Sequence, residues 1–254
     1  MQHFFSETMI KKTFLLLISF LFICCNKKTE KETEILLIAS EKSSFENQTV
    51  STFKIFSDST YVLNITVNGN YYDKVENFRG HLKIKNDSIE FFPSRLEFGK
   101  SKKASLKNGY IDFFNDGMTF RMKIDSTKLK VNNLIDFSKF QNYAVFNYEK
   151  ENENDKNENI DISETDIYEI ENFLKAEFKN NTNIYPYNKY LKQIVAYKNV
   201  KGEKYVYIKC FCQDKYELES FRKHIIQMHD GGKCNIFILL NLTKKKIEVF
   251  NVAD

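Results

Sequence analysis

Three cysteines near the carboxyl terminus are the residues whose types and spacing suggest chemistry first. Cys210 and Cys212 lie two positions apart, and Cys234 follows beyond a stretch that contains turn residues. Residues two apart on a strand project from the same face of a sheet, so either Cys210 or Cys212 could bridge to Cys234. A bond between Cys210 and Cys212 themselves would be strained. In an oxidising compartment we therefore expect one disulfide and one free thiol among the three.

A metal site is the alternative use of the same cysteines. His224 or His229 could complete a set of four ligands with Cys210, Cys212 and Cys234. Zinc favours pairs of ligands spaced by two to four residues, and a C-x-C pair lacks that spacing. No basic partner marks any of these thiols as a nucleophile. The sequence favours a disulfide or buried thiols, and we expect no metal and no cofactor.

A second pair of cysteines follows a short apolar segment at the start of the chain. Lys11 and Lys12 precede a largely apolar run from Phe14 to Ile23, and Cys24 and Cys25 come directly after it. A membrane-spanning helix needs about 20 apolar residues, so this run is too short. Two lysines ahead of a short apolar run are typical of a signal peptide.

The segment from Leu21 to Cys25 resembles the lipobox of bacterial lipoproteins, in which a peptidase cuts before a cysteine that carries diacylglycerol. Cys25 is the expected lipidation site because Cys24 before it is small, whereas Phe22 departs from the usual leucine and keeps Cys24 as the alternative. The resemblance implies a palmitate-type membrane anchor and export. Asn26 in place of aspartate favours the outer membrane or the cell surface.

The chain divides into five segments by composition. A polar, acidic stretch separates two globular modules because it has almost no apolar side chains to bury. The expected boundaries are a lipoprotein signal peptide at 1–24, a tether at 25–34, a β-rich module at 35–148, an acidic polar linker at 149–162 and an α+β module at 163–254.

Alternating apolar residues and asparagine-rich turns mark the first module. Tyr61 to Val67 alternates between apolar and polar side chains, and Asn68-Gly69 ends it with a strong hairpin signal. Similar turns at Asn86-Asp87 and Asn108-Gly109 predict an antiparallel β sandwich or barrel. The string from Gly80 to Phe91 resembles a repeat of lipocalin-like bacterial lipoproteins, which implies an apolar cup for a small ligand. A filled core is the competing interpretation.

The last module begins with a helix signal and continues as strands. Ser163 and Asp166 form a capping box, and apolar residues at helical spacing follow as far as Phe178. Asn180 and Asn181 predict a left-handed end to the helix. The strands that follow predict a helix packed on an antiparallel sheet, so the expected fold class of the whole chain is α+β.

The same module is similar to one that recurs in uncharacterised exported bacterial proteins, a group that implies no specific activity. A second resemblance, to cystatins, rests on the helix followed by Gln193-Ile194-Val195-Ala196. Tyr197 stands where cystatins have the glycine that bends their inhibitory hairpin. The first resemblance is carried by Gln193, Tyr197, Asn199, the run Gly202-Glu203-Lys204, the strand Tyr207 to Cys212, Asp230-Gly231-Gly232, Cys234 and Asn241-Leu242.

Charge and missing motifs limit the function classes. The net charge is +4 with both signs interspersed, so we expect no nucleic-acid partner. No nucleotide-binding loop, metalloprotease motif or nucleophile elbow occurs. We expect a non-catalytic, lipid-anchored binding module with a protein or envelope partner. The alternatives are a small-ligand carrier and an envelope enzyme that uses carboxylates, although Glu90 and Asp112 look like ordinary strand surface.

The lipidation site is testable with two matched variants. Cys25→Ser should abolish both acylation and cleavage, whereas Cys24→Ser should retain them because serine is also small. Intact mass spectrometry of the detergent-extracted protein distinguishes the two. Acylation that persists in Cys25→Ser and is lost in Cys24→Ser would contradict the assignment.

Overall fold

The computed structural model describes most of the chain from Thr33 onward. Both cysteines of the lipobox-like segment lie outside the described residues, as do the signal peptide and most of the tether. The chain from Ile35 forms one compact unit. The described ranges are 33–43, 48–69, 73–92, 101–114, 120–150, 154–213, 220–228 and 230–253.

The first module is a closed antiparallel barrel of eight strands. Each strand pairs with the next, and the last pairs with the first, so the ring has no free edge. The sequence was compatible with either a sandwich or a barrel, and the closed ring of strands shows that the module is a barrel. The strands are β1 (Ile35–Ser43), β2 (Gln48–Phe56), β3 (Thr60–Asn68), β4 (Asp73–Lys85), β5 (Ser88–Phe92), β6 (Lys103–Lys107), β7 (Tyr110–Phe114) and β8 (Phe120–Thr127).

Two of the predicted asparagine turns close hairpins of the barrel. Asn86 has a φ of 58° between β4 and β5. Asn108 and Gly109 have φ values of 51° and 80° between β6 and β7, as a two-residue hairpin requires. Both turn predictions are confirmed, since these residue types tolerate left-handed backbone better than others.

Aromatic side chains fill the barrel interior. The ring of Phe53 lies 5.3 Å from that of Phe113 and 5.7 Å from that of Tyr61. Phe91 closes the group at 5.3 Å from Tyr61 and 6.0 Å from Phe113. All four side chains are buried, and their edge-to-face and stacked contacts are those of a packed core.

The second module is a six-stranded sheet covered on one face by a helix. Its strands run in the order β10-β11-β12-β13-β14, and β9 lies beside β11 in parallel. The α+β prediction is confirmed. The sheet is mixed rather than purely antiparallel, because β9, which precedes the helix in the chain, pairs with β11 in parallel. The elements are β9 (Tyr143–Asn147), β10 (Glu158–Asn159), α1 (Glu164–Asn180), β11 (Tyr190–Lys198), β12 (Lys204–Cys212), β13 (Asn235–Asn241) and β14 (Lys246–Val252).

The helix α1 begins where the sequence predicted. Ser163 is its N-cap, and the Ser163 hydroxyl and the Asp166 backbone and carboxylate form the capping box. The apolar face packs on the sheet through Ile167, Ile170, Leu174 and Phe178. Asn181 ends the helix with extended backbone at a φ of −107° instead of the predicted left-handed turn. No helix in the described ranges is long and apolar enough to span a membrane.

The two modules meet at different residues from those that composition suggested. The strand β9 belongs to the second sheet, although its residues fell within the predicted β-rich module. Residues 158–162 of the predicted linker carry β10 and the fully buried Ile162. A few apolar positions therefore order part of a stretch that is otherwise polar. Between β12 and β13 the described chain has a 3-10 turn at Ser220–Arg222 and irregular backbone as far as Met228.

The filled barrel is tested by two neighbouring phenylalanines on β5. Phe91 points inward and is 2% exposed, whereas Phe92 points outward and is 45% exposed. Phe91→Ala should lower the free energy of unfolding by about 3–5 kcal/mol, because it removes buried surface and leaves a cavity. Phe92→Ala should change it by less than about 1 kcal/mol. Urea unfolding measures both, and a small loss for Phe91→Ala would indicate an open interior.

Candidate functional site

A buried ion pair joins the barrel to the second sheet. Arg121 on β8 lies opposite Asp112 on β7, and their side chains are 4% and 1% exposed. Arg121 Nε and Nη2 donate to the two carboxylate oxygens of Asp112 at 2.5 and 2.9 Å. Nη2 also donates to the Val145 carbonyl at 2.9 Å, and Nη1 donates to the Arg222 carbonyl at 3.0 Å. One barrel side chain therefore holds both β9 and the 3-10 turn.

The ion pair continues into a polar network between the modules. Asn147 on β9 donates to Asp112 at 3.2 Å and accepts from Lys107 Nζ at 3.3 Å. Lys107 also forms an ion pair with Asp161, just after β10. The Arg121 guanidinium lies over the rings of Tyr110 and Phe146, with its central carbon 4.9 and 4.3 Å from their centroids. These contacts define the clasp, which consists of Lys107, Asp112, Arg121, Asn147 and Asp161.

The interpretation of Asp112 as ordinary strand surface is wrong. Asp112 is buried and forms an ion pair with Arg121. Glu90 is exposed, and its Oε1 lies 3.7 Å from Lys103 Nζ on the neighbouring strand. One sequence signal could have revealed this. Asp112 interrupts the apolar run Tyr110-Ile111-Asp112-Phe113-Phe114. A charged side chain within such a run is buried in a core only when it is paired with an opposite charge.

The face of the second sheet opposite α1 carries a row of aromatic side chains. Tyr197 stacks on Tyr205 with centroids 5.4 Å apart and on Tyr207 at 5.3 Å. Tyr148 covers Tyr197 at 4.9 Å, and Phe237 extends the row from Tyr207 at 5.7 Å. Only Tyr197 is buried, and the other four are partly exposed. We call these five residues the tyrosine face.

Carboxylates fix the outer members of the tyrosine face. Tyr205 donates its hydroxyl to Glu203 at 3.1 Å and lies within 3.5 Å of Glu248. Tyr148 donates to Asp155 at 2.5 Å, and burial together with this bond raises the pKa of Tyr148 to about 12. Both phenols thus stay protonated at neutral pH. Each hydroxyl bond holds its ring in one orientation, and both side chains are partly exposed.

The segment 220–228 covers the other end of this sheet face. The Gln193 amide donates to the carbonyls of Phe221 and His224 at 2.6 and 2.8 Å, and it accepts from the Ile226 backbone at 2.8 Å. Gln193 therefore lies buried inside β11, not at the tip of a hairpin. The residues that resemble cystatins cannot enter a protease cleft from this position.

The carboxyl-terminal cysteines lie on the helix-covered face of the sheet. Cys212 and Cys234 form a disulfide with their Cα atoms 4.8 Å apart, and it links the end of β12 to the start of β13. Cys210 is a fully buried free thiol, and burial raises its pKa to about 12. A thiol of that pKa is inert at neutral pH.

Metal ligands do not gather in the described part of the chain. Within it, no group of three or more histidine, cysteine or acidic side chains is placed to hold an ion. His224 lies beside the sheet, and His229 lies outside the described residues.

Comparison with known proteins adds no precedent for this site. No family model, curated protein or solved structure matches the chain. Its function must be inferred from the arrangement of its own side chains, among which the tyrosine face is an organised and partly exposed group.

Proposed function

We propose that this chain is a non-catalytic, lipid-anchored protein of the cell envelope that binds a protein partner through the tyrosine face. The observation that carries the proposal is the aromatic row, of which four rings are partly exposed and in which carboxylates hold the hydroxyls of Tyr148 and Tyr205. Tyrosine is enriched at the centres of protein interfaces, where it supplies a large contact area and a polar tip.

The chemistry around the tyrosine face supports a protein partner. Paired charges surround the aromatic row, including Lys244 with Glu203 at 2.8 Å and Lys198 with Glu158 at 2.8 Å. An aromatic centre inside a polar rim of balanced charge is the usual anatomy of a protein interface. The face therefore offers no strong field for a highly charged ligand.

The tyrosine side chains are already ordered before any partner binds, and this also supports the proposed protein interface. Tyr148 and Tyr205 are held by carboxylates, and Tyr197 is packed between its neighbours. A side chain that is already ordered loses little conformational freedom on binding. The clasp fixes the sheet to the barrel, so a partner would meet one preformed surface.

The anchor part of the proposal rests on the sequence. A lipid on Cys25 would attach the chain to a membrane, and residues 25–34 would tether the globular body to the outer membrane or the cell surface. A partner in the envelope would then meet the tyrosine face at high local concentration.

The carrier and enzyme hypotheses gain no support from the described residues. A carrier needs an open apolar cavity, whereas Phe53, Tyr61, Phe91 and Phe113 pack against one another inside the barrel. An enzyme that used carboxylates would need them to converge in a cleft. Asp112 is instead committed to Arg121 in the clasp.

Site-specific photo-crosslinking in cells that export the protein tests the proposed contact. A benzophenone amino acid replaces Tyr207 on the tyrosine face, or Tyr168, which is 51% exposed on α1, as the control. The position-207 probe should form one discrete protein adduct that is absent for position 168. A second probe at Phe237 should capture the same protein, because both rings belong to one surface.

The captured protein then allows a direct binding measurement. Tyr207→Ala should weaken binding of the purified partner by about 2 kcal/mol, as expected for a central aromatic contact. Tyr168→Ala should leave the affinity unchanged. Equal capture at both positions, or retention of the protein on envelope glycan without any protein adduct, would refute a protein partner at this face.

A further inference from the structure

A second site lies on the opposite side of the same sheet, beneath the edge of α1. A pocket of about 290 Å³ opens between the turn at 138–142, the helix and the chain that enters β11. Lys192 lines this pocket from β11 and is only 1% exposed. Lysine is almost never fully buried unless it is paired, so its surroundings need an explanation.

Aromatic rings surround the Lys192 ammonium group. Its Nζ lies 3.8 Å from the centroid of the Tyr187 ring and 5.4 Å from that of Tyr143. The hydroxyls of these two tyrosines are bonded to each other, and Tyr187 donates to Glu171 at 3.0 Å. Glu171 is thus held at the far end of the Tyr187 ring and not against the ammonium.

The other charges around the pocket are already matched. Lys175 pairs with Glu171 at 3.1 Å, and Lys139 pairs with Glu164 at 3.3 Å. Among the described residues no carboxylate lies within ion-pair distance of Lys192. Lys139 also lies 3.9 Å from the Asp136 carboxylate. Of the two lysines that line the pocket, Lys192 is therefore the one without a carboxylate partner among the described residues, and it can pair with a single negative charge on a ligand.

The pKa of Lys192 agrees with the absence of a carboxylate partner. Burial lowers the pKa of Lys192 below its usual value, whereas Glu171 raises it and Lys175 lowers it further. Cys210 lies directly across the strand pair and has a pKa of about 12, so its thiol stays neutral where Lys192 titrates. No thiolate therefore balances the ammonium form of Lys192.

We propose that this pocket binds a small monocarboxylate whose negative group pairs with Lys192. The pocket volume limits the ligand to a small molecule, at the lower end of the usual range for binding sites. Asn188 and Ser138, which also line the pocket, offer polar contacts to the rest of such a ligand. The site is independent of the tyrosine face, which lies on the other side of the sheet.

A charged probe and its neutral counterpart test the site in the full chain purified in detergent. Propionate is titrated at about pH 6.5 while binding is followed by saturation-transfer NMR, with propionamide as the uncharged control of similar shape. Propionate should bind saturably and propionamide should not. Affinity should fall about tenfold per pH unit above the pKa of Lys192, because the ammonium group is then lost.

Variants distinguish a specific site from general attraction to lysine. Lys192→Met should weaken propionate binding about tenfold or more, since it removes a charged partner. Lys209→Met should leave binding within about twofold, because Lys209 is a half-buried lysine on the other face of the sheet whose pKa burial also lowers. The urea midpoint of each variant verifies that it remains folded.

A gain of binding separates the proposal from any loss of structure. Glu171→Gln removes the negative charge beyond Tyr187 and releases Lys175, so propionate should bind several-fold more tightly. The proposal is overturned if propionate does not bind saturably to the parent chain, or if propionamide competes with it. Equal binding by Lys192→Met also overturns it, as does unchanged or weaker binding by Glu171→Gln.

Discussion

The ion pair between Arg121 and Asp112 is the interaction on which the rest of the structure depends. Removing two charges from water is costly, and their attraction offsets the cost only when further hydrogen bonds satisfy the remaining polar atoms. Arg121 meets this condition by donating to Asp112 and to the carbonyls of Val145 and Arg222. The barrel supplies both charges, and β9 and the 3-10 turn at Ser220–Arg222 supply the carbonyls that accept the remaining hydrogen bonds.

The clasp fixes the position of side chains on both faces of the second sheet. On one face, Tyr148 directly follows β9 and covers Tyr197 in the aromatic row. On the other, the turn before β9 forms a wall of the Lys192 pocket, and Arg222 donates to its Gln141 carbonyl at 2.7 Å. The position of β9 is therefore a constraint that the two proposed sites share.

Local signals in the sequence predicted local structure well. The capping box at Ser163 and the turns at Asn86 and Asn108 lie where expected, because each is encoded by neighbouring residues. The parallel pairing of β9 was not predictable, since it depends on a strand almost fifty residues further along the chain. Asp112 and Lys192 share this difficulty, because burial of a charged side chain is decided by distant elements. The row of Tyr197, Tyr205 and Tyr207 likewise forms only once strand register is fixed.

The most direct test of the clasp is hydrogen exchange of the barrel and the sheet in Asp112→Ala, with the exposed Asp125 on β8 as the site of the control substitution. Asp112→Ala leaves Arg121 buried without its counter-charge, so it should lower the free energy of unfolding by about 3–5 kcal/mol. Amides of β9 should then exchange independently of those in the barrel, whereas Asp125→Ala should leave the exchange pattern intact. If Asp112→Ala and Asp125→Ala behave alike, the barrel and the sheet are held together by something other than this ion pair.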